Sequence, residues 1–229
     1  MTGFSLITLP RIHLYVSLCS GFRPPEQIHI QDGAQNRLVT LVHEAAHALQ
    51  IDALVQESTS LARYLETLAT QDMATTLEAL RVEYNRLFVG PASPLAHPYE
   101  SVYRTPGGWV MGECTLEVLQ MYREEGLYPD AGYKDLPDHI SMELEYMACL
   151  CQREAEARER GEEEGVRLYG EKEHRFLKAH LASWIPQFCA RVLEAASLPF
   201  YPHWARIAHA FIAWDTEYTQ VNDRKGGKR

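Results

Sequence analysis

The sequence predicts an all-α protein, a bundle of about eight to eleven helices. Three observations carry that expectation. Apolar residues recur at the i, i+3, i+4, i+7 spacing of a helix face over most of the 229 residues. No run alternates apolar and polar residues for long enough to make a convincing strand. Glycine and proline fall mainly between the periodic stretches, where they stop helices.

In chain order, Arg11-Ile12-His13-Leu14-Tyr15 through Cys19 opens the chain, with a turn at Phe22-Arg23-Pro24-Pro25. Residues 34 to 55 carry Leu38, Leu41, Val42, Ala45, Ala46, Leu49 and Ala53 on one stripe, read as a single helix. Residues 72 to 89 begin at Asp72, a good N-cap, and stop at Gly90-Pro91. A short helix over 114 to 125 ends at Gly126. Another begins at Asp138, where the side chain can cap the N–H of Ile140 or Ser141, and buries Ile140, Leu144, Met147 and Cys151.

Residues 153 to 175 are charged and carry little apolar surface, so they read as a solvated helical extension or a mobile loop. Helices resume over 176 to 196 and 202 to 220, divided by Pro199 and Pro202. The expected organisation is one domain: an N-terminal lobe over 1–126, a hinge loop over 127–137, a C-terminal lobe over 138–222 and a disordered tail over 223–229.

Composition excludes several function classes. A net charge of −9 is wrong for nucleic acid and suits a basic partner. No apolar run reaches the ~18 residues of a membrane span, and mean hydropathy is −0.29. The N-terminus, Met1 to Pro10, lacks the basic start of an export signal, so a cytoplasmic location is expected. The five cysteines are scattered; Cys149 and Cys151 form C-x-C, which is neither a redox C-x-x-C nor a zinc ribbon, and they read as small apolar side chains.

One motif points to chemistry. His43-Glu44-Ala45-Ala46-His47 matches H-E-x-x-H, in which two imidazoles one turn apart bind Zn²⁺ and the glutamate activates water. The longer form fails, because it needs Gly at 50 and His at 53 where this chain has Gln50 and Ala53. On a helical wheel the two histidines also fall away from the apolar stripe, on a wet face. No metal, cofactor or catalytic residue is therefore expected, and a zinc-dependent hydrolase on His43, Glu44 and His47 is the alternative.

Four short motifs stand in fixed order between 83 and 147. They are Glu83-Tyr84-x-x-Leu87-Phe88-x-Gly90-Pro91, Pro98-Tyr99-Glu100-Ser101-x-Tyr103, Met111-Gly112, and Pro137-Asp138-His139-Ile140-Ser141-x-Glu143-Leu144-x-Tyr146-Met147. Read as residues alone, Phe88 suits core or site equally. Tyr99, Tyr103 and Trp109 suit a binding loop or pins that hold it to the bundle. Gly112 permits a close backbone approach or a positive φ.

As an ordered set, with Phe176-x-x-x-His180-Leu181-x-x-Trp184-x-Pro186-x-Phe188 downstream, these motifs resemble the TorD/DmsD family of redox-enzyme maturation chaperones. The resemblance implies a cytoplasmic, non-enzymatic chaperone that binds the twin-arginine signal peptide of a molybdoenzyme precursor and delays its export. The peptide-binding residues it implies are Phe88, Tyr99, Gly112, Asp138 and His139. We add Glu100, Tyr103 and Trp109, with Glu100 and Asp138 as rim carboxylates for the arginines. A NarJ-type chaperone of a subunit that is not exported is a further alternative. The family occurs as monomers and domain-swapped dimers, and loop 127–137 suits the hinge of such an exchange.

Overall fold

The structure is a computed structural model that describes residues 6–31, 36–91, 93–128 and 135–226, with side chains to 220. Among the described residues there are ten α-helices and no strand. Four helices form the centre. α1 (Thr8–Gly21) packs on α7 (Ile140–Glu159), α2 (Arg37–Ala48) and α10 (Phe200–Gly226). It buries Leu14, Tyr15 and Leu18 completely. α3 (Asp52–Ala69) and α4 (Met73–Tyr84) follow α2, and α3 closes on α10.

The expected single helix over 34 to 55 is two. Asn36 caps α2, its side-chain oxygen accepting from the N–H of Leu38 at 3.0 Å and Val39 at 3.4 Å. The helix then closes where Gln50 takes a left-handed φ of 57° and the Ile51 N–H donates to the Ala46 carbonyl at 3.0 Å. This is a glycine-type helix end made without glycine, so the sequence hides it. Asp72 caps α4 as expected, accepting from the Thr75 N–H at 2.9 Å. The last turn before Gly90 widens into a π-turn over Asn85–Val89.

α6 (Glu113–Glu124) ends before Gly126, at φ 68°. The charged stretch 153 to 175 is helical and packed rather than free. α7 runs to Glu159, and α8 (Glu163–Ala179) returns along it and along α10. Ala155, Ala157, Phe176 and Leu177 are buried, while most charges face outward. Two of those charges point inward: Glu154 accepts from Thr8, and Glu173 accepts from the fully buried Arg11 at 2.7 Å. Arg11 also donates to both carboxylate oxygens of Asp215, at 2.6 and 3.0 Å, and Tyr15 donates to Asp215 at 2.6 Å. One buried cation thus ties α1 to α8 and α10.

The helix expected over 176 to 196 is interrupted at His180, where α8 ends and α9 (Leu181–Ala195) begins. α10 extends to Gly226, past the helix end expected at 220 and into the expected tail, so 223–226 are helical and not disordered. Most of the expected hinge, 129–134, and the last residues of the expected tail, 227–229, lie outside the described residues. Glu83 of the first motif is buried, accepting from the N–H of Ser197 at 2.5 Å and Leu198 at 3.2 Å and from Arg86. It fastens the end of α4 to the turn between α9 and α10.

Candidate functional site: the junction of residues 98–117 and 135–143

Segments 98–101 and 138–140 meet in space. Tyr99 and His139 form an isolated antiparallel bridge. The Glu100 N–H donates to the Asp138 carbonyl at 3.0 Å, and the Ile140 N–H to the Pro98 carbonyl at 2.9 Å. The Ser101 N–H, at the start of the short α5 (Glu100–Arg104), donates to Asp138 Oδ2 at 2.9 Å.

This geometry corrects the expected cap. Asp138 does not cap α7; His139 does, its Nδ1 accepting from the Ser141 N–H at 3.2 Å. Asp138 instead holds α5 against the start of α7. Burial pushes the His139 imidazole down to about 4, so it is neutral at ordinary pH.

Three carboxylates gather beneath the junction, all fully buried: Glu100, Asp138 and Glu143. Glu100 accepts from His180 Nδ1 at 2.9 Å and from Arg104 at 2.6 Å. Arg104 also donates to the Ala179 carbonyl at 2.8 Å. Glu143 accepts from the Trp184 indole N–H at 3.0 Å. Burial, followed by the charge of Glu100, raises the Glu143 carboxyl well above the usual range. The expected rim carboxylates Glu100 and Asp138 are thus interior groups. Asp138 holds the Ser101 N–H of another segment, and Glu100 holds His180 from the α8–α9 junction and Arg104 of its own helix.

Phe88 is also interior, at 3% exposure, packed edge-on to Phe22, Tyr84 and Tyr201 and tilted against Phe188. Tyr103 is half-buried, stacked on Trp184 under the Arg191 guanidinium, with its hydroxyl donating to the His97 carbonyl. Tyr99 is half-buried, edge-on to His139, and donates to Asp135 at 3.0 Å.

Gly112 has an ordinary φ of −76°, so the positive-φ reading fails. The close-approach reading fits, because a Cβ there would meet Thr105 Oγ1 at 2.2 Å.

The exposed part of the junction is the turn after α5 and the first turn of α6. Trp109 is 72% exposed, Met111 70% and Leu116 68%, with Val110 beside them. A cleft of about 200 Å³ lies at the same place, lined by Arg104, Thr105, Pro106, Glu113, Cys114 and Glu117. Both Glu113 and Glu117 are exposed, one helical turn apart. Apolar and acidic surface therefore adjoin here, on residues that the motifs mostly miss.

Two signals were available in the sequence. Leu116 falls outside the Cys114–Val118–Met121–Tyr122 stripe, and Glu113 and Glu117 share its side of the helix. His180 and Glu143 stood inside quoted motifs, with no clue that they would meet Glu100 and Trp184.

Residues 50–190 match the family described as the nitrate reductase delta subunit. The chain belongs to that family. Its relatives include the chaperone protein TorD of Shewanella pealeana, 26% identical over 194 residues that cover 82% of this chain and 77% of that one. TorD of Shewanella loihica is 26% identical over 157 residues, 66% of this chain and 68% of its own length. An Archaeoglobus fulgidus structure described as a redox enzyme maturation protein is 24% identical, with a TM-score of 0.49 over 89% of this chain and 92% of that chain.

By family the protein is a TorD-type chaperone, not an enzyme. That sets the hydrolase reading aside. Among the described residues, no group of three or more His, Cys, Asp and Glu side chains could hold a metal ion. Nor is any described helix long and apolar enough to cross a membrane.

Proposed function

We propose that this chaperone acts in the cytoplasm, where the face formed by residues 99–117 binds the twin-arginine signal peptide of a molybdoenzyme precursor. The observation that carries this reading is the adjacency of Trp109, Val110, Met111 and Leu116 to the exposed Glu113 and Glu117. A twin-arginine signal is basic and then apolar, so it presents the complementary order. Its apolar stretch lies on the Trp109–Leu116 patch, with Tyr99 and Tyr103 at the edge. Its guanidinium groups pair with Glu113 and Glu117.

In this reading Phe88, Glu100, Asp138 and His139 support the face from below, and Gly112 lets the turn close on α5. Holding the signal delays export until the client's cofactor is in place. The family match, described by a nitrate reductase subunit, keeps a NarJ-type chaperone of a non-exported subunit as the second reading.

The test is titration of the purified chain with a twin-arginine signal peptide, and with the same peptide carrying glutamine for both arginines. Saturable binding that weakens with the arginine replacements, with Trp109→Ala, and with Glu113→Gln combined with Glu117→Gln is expected. Equal binding by both peptides, or none, defeats the reading. Added salt should weaken the complex, because these carboxylates are exposed and screened.

A further inference from the structure

We infer that His43 and His47 form a two-imidazole site for a borderline divalent cation of the Cu²⁺, Ni²⁺ and Zn²⁺ class. The pair stands at i, i+4 on α2, near its C-terminal end and outside the face described above. Their Nε2 atoms lie 3.2 Å apart. Two metal–nitrogen bonds of about 2.0–2.1 Å, meeting at an angle near 100°, span about this separation.

Ring orientation agrees with a shared ion. The ring planes cross at 77° with centroids 4.6 Å apart. Rings aimed head-on along the nitrogen–nitrogen line would place their centroids further apart by the depth of both rings. The shorter spacing shows them tilted off that line, an edge-on arrangement that lets one ion take both nitrogens in place of the hydrogen bond.

The hydrogen bonds also set the proton of His43. Ser58, on α3, donates its hydroxyl to the Val55 carbonyl at 3.1 Å. Its oxygen is therefore the acceptor for His43 Nδ1, 3.0 Å away. With the proton on Nδ1, His43 Nε2 carries the lone pair that a metal ligand needs, and Ser58 fixes the ring from a second helix. In this structure the His47 Nε2–H donates to that lone pair, and exposed His47 can move its proton to Nδ1 when an ion takes the place of the hydrogen bond.

Because no third protein donor joins the pair among the described residues, water completes the coordination. Such a site chelates and exchanges its ion; it does not orient a nucleophilic water as the hydrolase signature does. By the usual order of divalent affinities Cu²⁺ binds most tightly.

The experiment uses untagged full-length protein freed of metal by a chelator. Cu²⁺ is titrated in, with electron paramagnetic resonance at one equivalent, and a parallel melting curve is recorded with Ni²⁺. The expected result is one saturable equivalent, a spectrum with two coupled nitrogens, and a melting temperature raised by Ni²⁺ through binding linkage. Ser58→Ala should weaken binding by about tenfold, the usual effect of removing an orienting partner. His43→Gln and His47→Ala should each weaken it further and lose the two-nitrogen signature. Circular dichroism verifies the fold of each variant, and exposed His47 offers little packing to lose. Unchanged Cu²⁺ affinity in His47→Ala, or no saturation at one equivalent, overturns the assignment.

Discussion

Ser101 and Asp138, 37 residues apart in sequence, share a buried hydrogen bond in which the Ser101 backbone N–H donates to the Asp138 carboxylate at 2.9 Å. The bond joins α5 to the start of α7 and sets the base of the exposed face. Asp138→Ala should therefore cost about 1–3 kcal/mol in a denaturant unfolding curve, since it strands a buried donor. Asp138→Asn keeps an acceptor oxygen and should lose less. Any drop in peptide affinity for either variant should track the loss of stability, because the Asp138 carboxylate is interior and does not reach the exposed face.

Phe88 and Trp109 separate packing from surface. Phe88→Ala should destabilise by about 3–5 kcal/mol, the range for an aromatic removed from a filled core. Trp109→Ala should change stability by no more than about 0.5 kcal/mol. Chemical denaturation of both variants checks this. A strongly destabilised Trp109→Ala would mean that the turn is part of the core.

Gly112 allows the α6 start to press on α5. Gly112→Ala places a methyl 2.2 Å from Thr105 Oγ1, with Ser101 and Thr105 Cβ atoms near 3.5 Å. A loss of about 1–3 kcal/mol is expected from that overpacking. Thr105→Ala removes the clashing hydroxyl, so the double variant should recover much of the loss. Melting curves of the two single variants and the double variant decide it.

Glu173 gives a pH signature. Burial raises its carboxyl to about 7, against an ordinary 4.5, although Arg11 pulls it back. The folded state thus holds this proton more tightly than the unfolded chain. Its contribution is complete below about 4.5 and is lost as pH rises toward about 7, at no more than about 1.4 kcal/mol per pH unit. Glu173→Gln keeps an acceptor for Arg11 and removes the titration. The stability difference, parent minus variant, should fall across that window and then level. A flat difference would show that Glu173 ionises normally.

How much of the site was legible depends on the range of the interaction. Asp72, Gly90 and Gly126 were readable as helix ends because a cap or a positive φ acts within a few residues. Gln50 was not, since a left-handed glutamine leaves no mark in composition. Two of the ordered motifs meet in the fold, where segments 98–101 and 138–140 pair. The roles within it came out differently: Glu100 and Asp138 are interior, and the exposed acids are Glu113 and Glu117.

The sequence by itself determined the helical class, the helix ends at Asp72, Gly90 and Gly126, and the family, because these follow from local periodicity, local stop signals and ordered motifs. Only the tertiary structure decided which motif side chains face water. The same carboxylate serves as a rim ligand when solvated and as an internal tie when a distant segment brings its donor. Here Asp138 received the Ser101 N–H, and Glu100 received His180. Those meetings are set by how α5, α7 and α9 pack, over separations that no spacing rule spans.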